Sequence, residues 1–96
     1  MITRETLAEH RDAILELARR HGAMDVRVVG SVARDEAGNG SDLDLLVRFE
    51  PDRSLFDHGS LIMDLQDLLG TKVDVLSEKG IRPRWRESIM QEAVPL

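Results

Sequence analysis

Three aspartates and one glycine turn carry the chemistry this sequence can offer. Asp42 and Asp44 open the run Asp42-Leu43-Asp44-Leu45-Leu46-Val47. Carboxylates placed beside leucine and valine are costly unless a metal ion or a hydrogen-bond network compensates them. Strand side chains repeat every two residues, so Asp42 and Asp44 share a face and can hold a hard divalent cation between them. Asp74, at the centre of Lys72-Val73-Asp74-Val75-Leu76, can add a third oxygen ligand from a neighbouring strand. Three such carboxylates suit a two-metal arrangement, in which one ion activates the attacking oxygen and the other holds the leaving group. The Gly30-Ser31 turn is the complementary part. Glycine lets the backbone approach a phosphate closely, and N–H groups opening a short helical turn attract anions. Ser31 can add a hydroxyl, and Arg34, about one turn on, a charge-assisted contact.

Each piece also has an ordinary reading. Asp-x-Asp pairs are common, a Gly-Ser step is often just a turn, and Asp74 alone reads as a surface residue at a strand edge. The combination is more specific, because spacing and element type must all fit together.

The elements that must position these residues follow from periodicity and punctuation. Thr3 is a candidate N-cap, and Leu7, Ile14, Leu17 and Ala18 recur at helical spacing, so a first helix is expected over about 4–21, closed by Gly22. His10 and His21 fall near its apolar stripe and read as structural histidines. Residues 24–29 form a β-branched strand ending at Gly30. A brief helical turn is expected over 31–36, a loop over 37–40, and a strand over 42–49. Ser54 caps a helix over about 55–69, with Phe56, Ile62, Leu65, Leu68 and Leu69 on its apolar face and Gly70 at its end. Residues 72–76 make a third strand and 77–80 a loop. Pro83 opens a last helix running to about Ala93, with Trp85, Ile89 and Met90 as apolar contacts. Lys79, Arg82, Arg84 and Arg86 cluster there, as a solvated helix start or a partner or phosphate contact.

The order helix, strand, strand, helix, strand, helix predicts one α/β (α+β) domain over 1–96: a small mixed β-sheet with helices packed on it. The connection between the first two strands is too short for a parallel crossover, so they are expected to be antiparallel. The third strand follows a full helix and is free to pair in parallel.

Composition narrows the function classes. The 96 residues are 42% hydrophobic and 32% charged, with a formal net charge of -5. That acidity argues against direct nucleic-acid binding, which needs a basic face, but not against a nucleotide whose charge a metal neutralises. No cysteine is present, so disulfides, thiolate zinc sites and thiol nucleophiles are excluded. No signal pattern or membrane-length apolar run occurs, which makes a cytoplasmic location the expectation. With Phe49, Phe56 and Trp85 as the only aromatics, the core is expected to be aliphatic. Any of the three could stack on a base, although packing is the simpler role.

Gly30-Ser31, ten residues, then Asp42-Leu43-Asp44 resembles the signature of minimal nucleotidyltransferases of the DNA polymerase β superfamily, including MntA-like antitoxins. Arg34, Ser41, Leu45-Leu46-Val47, Val73-Asp74-Val75 and the closing stretch Ile89 to Leu96 fit the same pattern, so the resemblance spans essentially the whole chain. It implies a palm-like nucleotidyltransferase fold and transfer of AMP from ATP to a hydroxyl, with pyrophosphate released. It further implies that Asp42, Asp44 and Asp74 are the catalytic, magnesium-binding residues of a two-ion site, with Asp74 helping to deprotonate the acceptor. Gly30, Ser31, Arg34 and Ser41 would bind the nucleotide. The implied partner is a HEPN-type toxin, modified on a tyrosine or masked by binding, and a second copy of the chain could also complete the site. The sequence contains no tyrosine, so a tyrosine acceptor must lie in another molecule. The alternatives are an antitoxin acting by contact alone, and a nucleotidyltransferase acting on a small molecule or RNA.

Overall fold

The computed structural model describes residues 2–34 and 43–96. Its sheet has four strands in the order β3-β2-β1-β4. The strands are β1 (Ala23–Val29), β2 (Leu43–Phe49), β3 (Val73–Ser77) and β4 (Val94–Pro95). As expected, β1 and β2 are antiparallel and β2 and β3 are parallel. The fourth strand is an addition: Val94 and Pro95 pair antiparallel with Val28 and Arg27. Two residues are too few to show a period of two, so this strand has no signature in the sequence.

The helices are α1 (Arg4–Glu9), α2 (Arg11–Arg20), α3 (Gly30–Ala33), α4 (Leu55–Leu69) and α5 (Pro83–Glu92). The expected helix over 4–21 is interrupted at His10, which ends α1 with φ -104 and ψ 7. The imidazole Nδ1 lies 3.0 Å from the carbonyl oxygen of Thr6. His21 lies 2.7 Å from Asp64 Oδ2, tying α2 to α4. Both histidines are structural, as read from the sequence.

Alternation along the strands sorts side chains onto two faces. Val26 and Val28 of β1, Leu43, Leu45 and Val47 of β2, and Val73 and Val75 of β3 are buried in one aliphatic cluster with Leu7, Ile14, Ala18, Leu61 and Leu65 of the helices. Burying each leucine stabilises the fold by roughly 1.5–3 kcal/mol. The opposite face carries Arg27, Asp44, Leu46 and Asp74, and α5 returns across it, with Met90 Sδ 3.6 Å from Arg27 Nη1.

Two residues expected to pack are exposed instead. Phe56 is 87% exposed. It lies nine residues before the buried Leu65, a rotation of about 180° at the helical period, so the two point in opposite directions. The buried residues of that helix are Leu61 and Leu65. Trp85 is 52% exposed, with the Arg84 guanidinium 5.1 Å from its ring centroid. Lys79, Arg82, Arg84 and Arg86 are all exposed, as a solvated helix start requires.

Capping fixes the start of α4. Ser54 Oγ accepts from Phe56 N–H, and the Asp57 carboxylate accepts from Ser54 N–H at 3.2 Å. Gly70, in the left-handed region at φ 64, ends the helix. This helix is the crossover that brings β3, and with it Asp74, beside β2.

Candidate active site

The sheet register brings the first two pieces together. Asp44 of β2 pairs with Val29 of β1 on one side and with Asp74 of β3 on the other. Asp44 and Asp74 therefore stand side by side on the same face, across a strand spacing of about 4.8 Å. Asp44 is half-buried and Asp74 is exposed, with Asp74 Oδ1 accepting from Val75 N–H at 3.0 Å. Asp42 and Ser41 lie outside the described residues.

The Gly30 turn completes the arrangement. Because Val29 faces Asp44 across the ladder, the chain leaves β1 against that carboxylate. Gly30 has φ +76, and a β-carbon there would fall 2.7 Å from Asp44 Oδ2. Only glycine combines this backbone angle with this approach. Ser31 is half-buried in the first turn of α3, and Arg34 follows that turn, its N–H bonded to Gly30 C=O at 3.2 Å. Gly30, Asp44 and Asp74 thus meet at one end of β2, on the face opposite the aliphatic cluster, with Ser31 and Arg34 following in the turn.

Three further charged residues meet on this face without having been singled out from the sequence. Glu92 of α5 reaches Gly30 and Arg34. Arg27 of β1 donates to Glu78 Oε2 at 2.6 Å, and Arg86 approaches Glu78 Oε1 at 3.3 Å. The hydrogen bond from Arg27 holds the Glu78 carboxyl below its ordinary value, against the opposing effect of desolvation. One signal was available: Arg27 is a charge set among the valines Val26, Val28 and Val29.

The oxygen donors suit a hard cation such as magnesium better than a soft one. The close approach of Gly30 to Asp44 leaves no side-chain carbon between that carboxylate and the turn. Among the described residues no group of three His, Cys, Asp or Glu is clustered for metal binding. The described part of the site is therefore the pair Asp44 and Asp74.

Residues 7–96 of the chain match a known domain, the nucleotidyltransferase domain. The chain belongs to the nucleotidyltransferase domain family. A nucleotidyltransferase-domain structure described as a candidate minimal nucleotidyltransferase is 55% identical, with a TM-score of 0.90, over 99% of this chain and 97% of that one. A candidate protein adenylyltransferase of Methanocaldococcus jannaschii is 37% identical over 90% of this chain and 92% of its own length. The protein adenylyltransferase MntA of Thermococcus cleftensis is 35% identical over 82% of this chain and 80% of its own length. A toxin–antitoxin structure containing AMP-PNP has the same fold at a TM-score of 0.76 and 16% identity, over 88% of this chain and 69% of that one. Within the described residues no helix is long and apolar enough to cross a membrane.

Proposed function

We propose that this nucleotidyltransferase, with residues 1–96 acting as one domain, transfers AMP from ATP to a hydroxyl of a partner protein. The observation that carries the reading is the Asp44–Asp74 pair standing beside the Gly30 turn. In the reaction the acceptor oxygen attacks the α-phosphorus, the bond to the bridging oxygen of the β-phosphate breaks, and pyrophosphate leaves. Asp44, with Asp42 two positions earlier, would hold magnesium. Asp74 would join them and lie nearest the acceptor, where its carboxylate helps take up the hydroxyl proton. Bound there, two magnesium ions would neutralise the triphosphate and favour the in-line displacement. Gly30 N–H, the Ser31 hydroxyl, Arg34 and Ser41 would orient the phosphates.

The acceptor lies in another molecule, and a HEPN-type toxin is the partner this reading takes, which makes the chain an antitoxin. The kinship with protein adenylyltransferases supports protein as acceptor, and the fold is also found in toxin–antitoxin assemblies. The test is incubation with each nucleoside triphosphate, magnesium and the co-expressed partner, followed by intact mass of both chains. One added AMP on the partner, lost in Asp44→Ala, is expected. Equal labelling by Asp44→Ala refutes the reading.

A second reading, neutralisation by contact alone, is favoured by the exposure of Leu55, Phe56, Met63 and Trp85. Protection from the toxin by Asp44→Ala, undiminished, would select it.

A further inference from the structure

Glu92, the last residue of α5, holds two of the donors assigned above to the phosphates. Its Oε1 accepts from Gly30 N–H at 3.0 Å, and its Oε2 accepts from Arg34 Nη1 at 2.9 Å. One carboxylate is thus spread across an amide and a guanidinium, the geometry in which two oxygens of a phosphate are held. Resting on the nucleotidyltransferase reading, we infer that Glu92 is an internal competitor for the triphosphate. Its carboxylate occupies the cradle in the resting chain and must leave before the nucleotide is fully seated.

Stoichiometry makes the two states exclusive at Gly30. A backbone amide has a single hydrogen, so a phosphate oxygen can take that bond only when Glu92 releases it. Charge adds to this. The cradle already lies against Asp44, whose Oδ2 would be 2.7 Å from a β-carbon on Gly30. A second carboxylate there opposes the approach of a polyanion.

Release is also mechanically simple. The side chains of Glu92 and Arg34 are 30% and 46% exposed, so water is at hand to solvate both groups once they part. The backbone on either side of Glu92 is pinned independently. Ala93 N–H bonds Ile89 C=O at 3.1 Å, and Leu96 N–H bonds Val26 C=O at 3.1 Å. A rotamer change at Glu92 therefore opens the cradle while α5 and β4 stay in place. The apparent affinity for nucleotide is lowered by the fraction of chains in which the cradle is shut.

Calorimetric titration with a non-hydrolysable ATP analogue and magnesium tests this, run on the wild type, Glu92→Gln, Glu92→Ala and the double variant Glu92→Ala with Arg34→Ala, with thermal unfolding of each. Glu92→Ala is expected to bind roughly tenfold tighter. Glu92→Gln, which keeps the shape and loses the charge, should lie between. The double variant should lose the gain. If Glu92 is only a strut between α5 and α3, Glu92→Ala melts lower and binds no tighter, and that result overturns the inference. Should Glu92→Ala fail to fold, the same comparison is made with Glu92→Gln, where affinity no higher than wild type overturns it. Binding by the wild type without a gain in the variants removes the role of Glu92 alone. Absence of binding in all four folded proteins removes the nucleotidyltransferase reading with it.

Discussion

Asp44 and Asp74 are direct partners in the parallel ladder of β2 and β3, although thirty positions separate them in the chain. Nothing local brings them together. The capped helix α4 and its left-handed stop at Gly70 set the register, and the register sets the pair.

Asp44→Asn and Asp74→Asn should therefore lower AMP transfer by at least about a thousandfold, because each removes oxygen charge where a cation supplies several kcal/mol of stabilisation. Chelation should abolish transfer in the wild type, and added magnesium should restore it. Both variants should remain folded, so that the loss of transfer reports the removed charge rather than unfolding. Transfer rates with and without chelator, beside a thermal melt, check all of this.

Gly30→Ala should cost about 1–3 kcal/mol of stability through backbone strain at φ +76. It should also impair transfer, because the new methyl group would lie 2.7 Å from Asp44 Oδ2 and must push that carboxylate aside. A urea titration and a transfer assay on the same preparation separate the two effects. Activity intact in a destabilised variant would show that Asp44 accommodates the methyl.

Gly59→Ala should do the opposite. Gly59 lies inside α4, is exposed, and has nothing within 4 Å of the point where a β-carbon would stand. Alanine there should stabilise the protein by roughly 0.5–1 kcal/mol through helix propensity and reduced freedom of the unfolded chain. Denaturant midpoints of the two proteins decide it, with transfer unchanged.

How much of this was legible in the sequence follows from the range of each signal. The α4 boundaries, 55–69, could be read because Ser54 and Gly70 are local marks. The antiparallel first pair could be read from the length of its connection. The break at His10 could not, since neither glycine nor proline marks it. Nor could the irregularity in β1, where Asp25 adopts φ 53 and the pairing shifts between Met24 and Arg27. Asp44 and Asp74 could be named as carboxylates within apolar strands, and Gly30 and Arg34 because their spacing fits that pair, although each alone is ordinary. Glu92 could not, because a glutamate at the end of a helix is ordinary until the fold places it on Gly30. Phe56 misled because hydrophobicity alone does not give the direction in which a side chain points.

Glu78 gives the clearest dependence on pH. Its side chain is 16% exposed and sits between Arg27, itself 15% exposed, and Arg86. Its folded pKa lies below the ordinary value of 4.5, chiefly through the hydrogen bond from Arg27. A depressed carboxylate binds protons more weakly in the folded state than in the unfolded one. Its contribution is therefore complete above the unfolded value and is lost as pH falls through the folded one. Glu78→Gln mimics the protonated side chain at every pH and leaves Arg27 without its closest counter-charge. It should cost about 2 kcal/mol at neutral pH, less than a fully buried pair would. The gap to the wild type should narrow below about pH 4.5, the ordinary value for this carboxyl. Urea titrations of both proteins across acid and neutral pH measure that gap. A gap independent of pH would mean that the ion pair contributes packing rather than charge, and that α5 is held over the site by its apolar contacts.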